Sequence, residues 1–180
     1  MKFKSLLGIF ALLLISSAAL YSQDKVAEEQ LGFGVEVGTS NWFGIHGVYA
    51  LNPDMHLGVN LGFLFDGGTD LEPSTTNLLF APYFRYFLPK LAKSLKPFGE
   101  ATFLINTGSE YEVNPNDPNT KTTHSFTETA IRISAGAYWF PYSSVGVYGG
   151  FRFLNLGLDP MRIKVGIGQA FMGIEWWMDK

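Results

Sequence analysis

The chain has 180 residues, of which 47% are apolar, 16% aromatic and 16% charged, with no cysteine and a formal net charge of −3. The lack of cysteine excludes a disulfide scaffold, a thiolate zinc site and a thiol nucleophile; the charge gives no footing for a nucleic-acid partner, and the apolar content argues against disorder. Charged residues fall well below the ~25% usual for a soluble domain while aromatics are abundant, so part of the surface is expected to face a medium less polar than water.

The chain opens on Lys2 and Lys4, followed by an apolar run from Leu6 to Ile15 broken only by Gly8, then by Ser16, Ser17, Ala18 and Ala19. A basic start, an apolar middle and small residues ahead of Asp24 form the layout of an export signal peptide. Cleavage fits after Ala19 or after Ser22. Residues 1–22 are therefore read as the signal, 23–30 as a short N-terminal segment and 31–180 as the folded part.

No later stretch is apolar for long enough to form a membrane helix. Apolar residues instead alternate with period two, which predicts strands. In 31–39, Leu31, Phe33, Val35 and Val37 alternate with Gly32, Gly34, Glu36 and Gly38. In 43–52, Phe43, Ile45, Tyr49 and Leu51 oppose Gly44, His46, Val48 and Ala50. In 56–65, Leu57, Val59, Leu61, Phe63 and Phe65 oppose His56, Gly58, Asn60 and Gly62. The segments 78–88, 98–107, 127–140, 145–155 and 168–178 repeat the pattern, with Tyr83, Arg85, Glu100, Arg132, Tyr138, Tyr148, Arg152 and Glu175 on the second face.

These segments predict an all-β fold: an eight-stranded antiparallel up-and-down barrel. The strand number is even, and each strand is near the ~9–11 residues that cross a bilayer when tilted. The second face carries too much glycine and too little charge to coat a protein in water, so it is assigned to the lumen and the large apolar face to lipid. Connections at 52–55 and 141–144 are tight, and 89–96 is longer. At the other end, 66–77 and 108–125 are predicted as long polar loops, with 155–162 intermediate and a short turn at 40–42. Short turns at one end and long loops at the other suit a transmembrane barrel.

Aromatic residues near strand ends are read as interfacial girdles. Tyr49, Tyr86, Trp139 and Trp176 fall at the short-turn end. Trp42 and Phe43, with Phe65, Phe80 and Phe153, fall at the other. By parity Glu36, Arg85, Glu100, Glu128, Arg132, Arg152 and Glu175 point inward. A buried charge without a partner is costly, so these residues are expected to form a structural polar network filling the lumen. Setting Leu88 against Pro97 puts Arg85 opposite Glu100, and Glu36 and Glu128 are the carboxylates available to Arg132 and Arg152.

One stretch, Ala81-Pro82-Tyr83-Phe84-Arg85-Tyr86-Phe87, is followed by Lys96-Pro97-Phe98-Gly99. Another, Gly47-Val48-Tyr49-Ala50-Leu51-Asn52-Pro53, leads to His56-Leu57-Gly58. With the signal peptide, these residues resemble the small outer-membrane β-barrel family of the OmpA/OmpX type. The resemblance implies a Gram-negative outer membrane with the short turns, both termini and segment 23–30 on the periplasmic side. It implies a monomer whose partners are outer-membrane lipids, lipopolysaccharide and the assembly machinery, with no cofactor. The role implied is envelope integrity or surface interaction through the long loops. One departure is the C-terminus: many members end on an aromatic residue, whereas this chain ends Trp176-Trp177-Met178-Asp179-Lys180.

Three other readings fit parts of the sequence. A narrow porin-like channel or transport accessory needs a continuous lumen. A soluble lipocalin-type barrel needs the apolar face to line a cavity. A lipid A-modifying enzyme needs a serine, a histidine and a carboxylate together. On one strand His124 and Glu128 would lie ~13 Å apart with Ser125 facing the other way. No catalytic residue is therefore assigned, and His46, His56 and His124 are too dispersed for a metal site.

Overall fold

A computed structural model describes residues 30–39, 42–66, 75–89, 91, 95–114, 117–142, 144–158 and 161–178, with backbone alone at 64–66, 75, 110–114, 117–122, 142 and 161–167. The signal peptide expected at 1–22, residues 23–29 and most of the connection 66–77 lie outside the described residues.

Eight strands follow one another: β1 (Gln30–Gly38), β2 (Trp42–Asn52), β3 (Met55–Asp66), β4 (Thr75–Phe87), β5 (Leu95–Asn114), β6 (Asp117–Tyr142), β7 (Val145–Leu158) and β8 (Met161–Trp177). Each pairs antiparallel with the next, and β8 returns to β1 to close the barrel. The closing seam runs only from Gly32 to Gly38 against Trp177 to Phe171. Closure satisfies the strand edges that an open sheet would leave unpaired.

Outward residues are large and apolar. Leu31, Phe33, Phe43, Ile45, Leu57, Leu61, Phe63, Leu78, Phe80, Phe103, Phe151 and Met172 are all exposed. A lipocalin-type cavity would need this face inside, and the fold places it outside.

Two segments expected as loops are strands. β5 and β6, 20 and 26 residues long, extend their ladder from Thr107 opposite Thr127 to Val113 opposite Lys121, so 108–125 is a hairpin. β7 joins β6 only from Ala130 onward, opposite Gly157, and the hairpin continues past that point. Polarity suggested a loop here, but Thr120, Thr122, Thr123, Thr127 and Thr129 are β-branched and favour extended backbone. Likewise β7 and β8 fill most of 155–162. A bulge interrupts β8 at 166–168, because Arg152 pairs Gln169 while Leu154 pairs Val165.

The core is the barrel interior. At the short-turn end Ala50, Phe87, Phe98, Tyr138, Phe140 and Trp177 pack together with Tyr83, Tyr148 and Phe171. Towards the other end Trp42, Leu79, Ala81, Leu104 and Ala130 form a second apolar cluster. Glycine on the inner face makes room for these rings. Tyr83 stands opposite Gly58, and Tyr148 opposite Gly173; a Cβ at either glycine would overlap the facing ring.

Candidate functional site in the barrel interior

The lumen holds a charged group built from side chains of β2, β4, β5, β6 and β8. Arg85 of β4, 1% exposed, is its centre. Its Nε and Nη2 donate to Glu100 Oε2 at 3.0 and 2.9 Å, and its Nη1 donates to Glu175 Oε1 at 2.8 Å. Glu100 is the register partner of Arg85 across the β4–β5 connection, while Glu175 reaches across the lumen from β8.

Glu175 is fully buried and fully engaged. His46 Nε2 lies 3.1 Å from Oε1, and Tyr138 Oη donates to Oε2 at 2.6 Å. Trp177 Nε1 donates to the same tyrosine oxygen at 3.1 Å. Glu100 also accepts from Thr102 Oγ1 at 3.3 Å. The Arg85 guanidinium lies 4.4 Å from the Tyr148 ring centre and 4.7 Å from that of Phe98, so its faces meet π-systems while its edge meets carboxylates. Charges inside a low-dielectric lumen require this degree of pairing.

A second group sits nearer the hairpin end. Arg152 Nη2 donates to Glu36 Oε1 at 2.7 Å, and its Nη1 donates to Gln169 Oε1 at 3.2 Å. Tyr148 Oη donates to Glu36 Oε2 at 2.9 Å. Below both groups, Lys96 Nζ donates to the Pro53 carbonyl at 2.9 Å and to Asp54 Oδ1 at 3.0 Å, tying two turns together. His56, fully buried, packs edge-on against Phe87 and Trp177 with both ring nitrogens unpartnered.

Of the seven inward charges read from the sequence, five are brought together in these two groups: Arg85, Glu100 and Glu175 in one, Arg152 and Glu36 in the other. Two are not. Glu128 is exposed near the hairpin end, and Arg132, half-buried, forms no ion pair among the described residues. Glu128 and Arg132 share a strand four positions apart, about 13 Å along the backbone. His46, Tyr138, Tyr148 and Trp177 were not read as members of the network. Parity placed the first three on the right face, but their partners lie on distant strands.

Among the girdle residues, Phe43, Tyr49, Tyr86 and Trp176 are exposed on the outer face and Trp139 is half-buried there. Trp176 stacks on Phe33 with ring centres 5.7 Å apart. Trp42 is a correction. It is 6% exposed and points inward, under the Arg152 guanidinium at 4.8 Å. Phe43 takes the outward place, so its neighbour must turn in, and Gly44 and Gly62 leave room for the indole. Among the described residues no group of histidines and acids could hold a metal ion.

No protein-family model and no curated protein matches the chain. Solved structures do. The N-terminal β-barrel domain of Pseudomonas aeruginosa OprF superposes with a TM-score of 0.60 at 14% identity, covering 84% of this chain and 98% of that one. Neisserial surface protein A superposes with a TM-score of 0.55, also at 14% identity, covering 82% and 94%. At this identity the likeness is one of fold, and the chain has the fold of the small eight-stranded outer-membrane β-barrels of the OmpA/OmpX type.

Proposed function

We propose that the protein is a monomeric, non-enzymatic barrel integral to the outer membrane of a Gram-negative bacterium, exported by its signal peptide. The observation that carries this reading is the outer wall. Large apolar side chains cover it from strand to strand, and a closed barrel can present such a wall to lipid without an unpaired edge. The interior acts as a plug of ion pairs and rings, with no cofactor. The role is envelope integrity or surface contact through the 108–125 hairpin and the 66–77 connection. Outer-membrane lipids, lipopolysaccharide and the assembly machinery are the partners.

Membrane fractionation with a heat-modifiability gel tests the placement. Outer-membrane recovery and faster migration of the unheated sample are expected; a soluble protein without a mobility shift overturns it. Planar-bilayer recording tests the plug, for which no steady conductance is expected. A stable open level would instead favour the narrow channel, and a lipid A mass change on expression would favour an enzyme.

A further inference from the structure

His56, the second residue of β3, is fully buried at the short-turn end and stands outside both ion-pair groups. Its ring packs edge-on against Phe87 and Trp177, with ring centres 4.6 and 5.0 Å away, and neither of its nitrogens has a hydrogen-bond partner. Those two neighbours tie the turns to the wall. The Phe87 amide donates to the Asp54 carbonyl of the β2–β3 turn at 2.8 Å, and the Trp177 amide donates to the Ser144 carbonyl of the β6–β7 turn at 2.8 Å. Lys96 lies over the Phe87 ring at 5.6 Å and clamps the β2–β3 turn through Pro53 and Asp54.

A neutral imidazole fits this cage and an imidazolium does not. Protonation charges the ring and makes both nitrogens donors. Arg85, its register partner on β4, faces it with a positive charge, and Lys96 of β5 adds a second. On β2 it is opposed by Ala50, which has no acceptor in its side chain. Tyr138 of β6, packed on Phe87, has its hydroxyl on Glu175. The two carboxylates that act on His56 are also engaged: Glu175 of β8 by Arg85, His46 and Tyr138, and Asp54 of the turn by Lys96. A buried charge without a free partner is strongly unfavourable, so the ring accepts a proton only where it reaches water.

We propose that His56 is an acid-sensitive pin: neutral, it lets Phe87 and Trp177 close the short-turn end, and protonated, it releases them and opens that end of the lumen to water. An ordinary imidazole titrates at about 6.5. Below that pH the open form binds one proton more than the closed form, so the ratio of closed to open falls by up to about tenfold per pH unit. Above it the ratio is constant. The pin acts within the plug and does not depend on the membrane reading.

The test is amide hydrogen exchange, read by NMR on the purified, folded barrel in micelles between pH 7.5 and pH 5.0. Protection of the Phe87 and Trp177 amides, corrected for the intrinsic exchange rate, is expected to fall at least about tenfold in the unsubstituted protein. In His56→Phe, which keeps a ring but cannot take a proton, it is expected to stay within about twofold. Protection that holds in the unsubstituted protein overturns the pin, and so does an equal fall in His56→Phe, which would assign the effect to another group such as His46. Should His56→Phe not fold, the His56 ring signals of the unsubstituted barrel decide the question. A ring that stays neutral for as long as both amides are protected supports the pin. A ring that titrates at its ordinary value with both amides still protected refutes it.

Discussion

Arg85 and Tyr86 are neighbours in β4, yet Arg85 is 1% exposed inside the wall and Tyr86 is 44% exposed outside it. The same contrast holds for the two faces of the whole barrel. Both carry many aromatic rings, so ring content does not say which face is inside. The spacing of glycine does. Inner glycines such as Gly58 and Gly173 lie beneath a ring of the neighbouring strand, whereas a Cβ at the outer Gly47 or Gly99 would meet nothing within 4 Å. Inside, shape and charge are matched residue by residue; outside, only hydrophobicity and size are constrained.

The largest effect is predicted where that matching is tightest. Arg85→Met leaves Glu100 and Glu175 facing each other without their cation, and should cost at least about 3–5 kcal/mol in urea unfolding from lipid vesicles. Tyr86→Ala, one residue along, should cost far less; comparable losses would erase the contrast between the faces. Next comes Leu61→Arg, a charge on the outer wall, predicted to cost about 2–4 kcal/mol if that wall lies near the middle of a bilayer. The same variant unfolding like the parent in vesicles would argue that Leu61 faces water.

Glycine provides a finer test. Gly173→Val forces a side chain into the Tyr148 ring and should destabilise by about 1–3 kcal/mol. Gly47→Ala on the outer face should be neutral or stabilise by about 0.4–1 kcal/mol, since it meets open space and restricts the unfolded chain. Thermal or urea midpoints moving in the same direction for both would contradict the assignment. On the outer face, Trp176→Ala should lose about 0.5–1.5 kcal/mol from the stack on Phe33, beyond the lost area.

Much of this division was legible in the sequence because a strand's parity is local. The number of strands, the inward placement of Glu36, Arg85 and Glu175, and the Arg85–Glu100 pair across the next connection all follow from alternation and turn length. Contacts across the lumen do not. Arg85 meets Glu175 ninety positions away only because β8 closes on β1. Trp42 shows how a composition rule fails: an aromatic near a strand end suggested a girdle, but its exposed neighbour Phe43 dictates the opposite face. The 108–125 hairpin shows the converse, since a polar segment needs only backbone pairing to remain a strand.

The short seam between β1 and β8 gains a kinetic meaning from the charges beside it. Glu36 on β1 grips Arg152 on β7, and Glu175 on β8 meets His46 on β2, so both links straddle the join. Neither can form until the two ends of the chain, far apart in sequence, have met. The charged interior then behaves as a latch, setting in the last step of assembly and resisting the first step of opening.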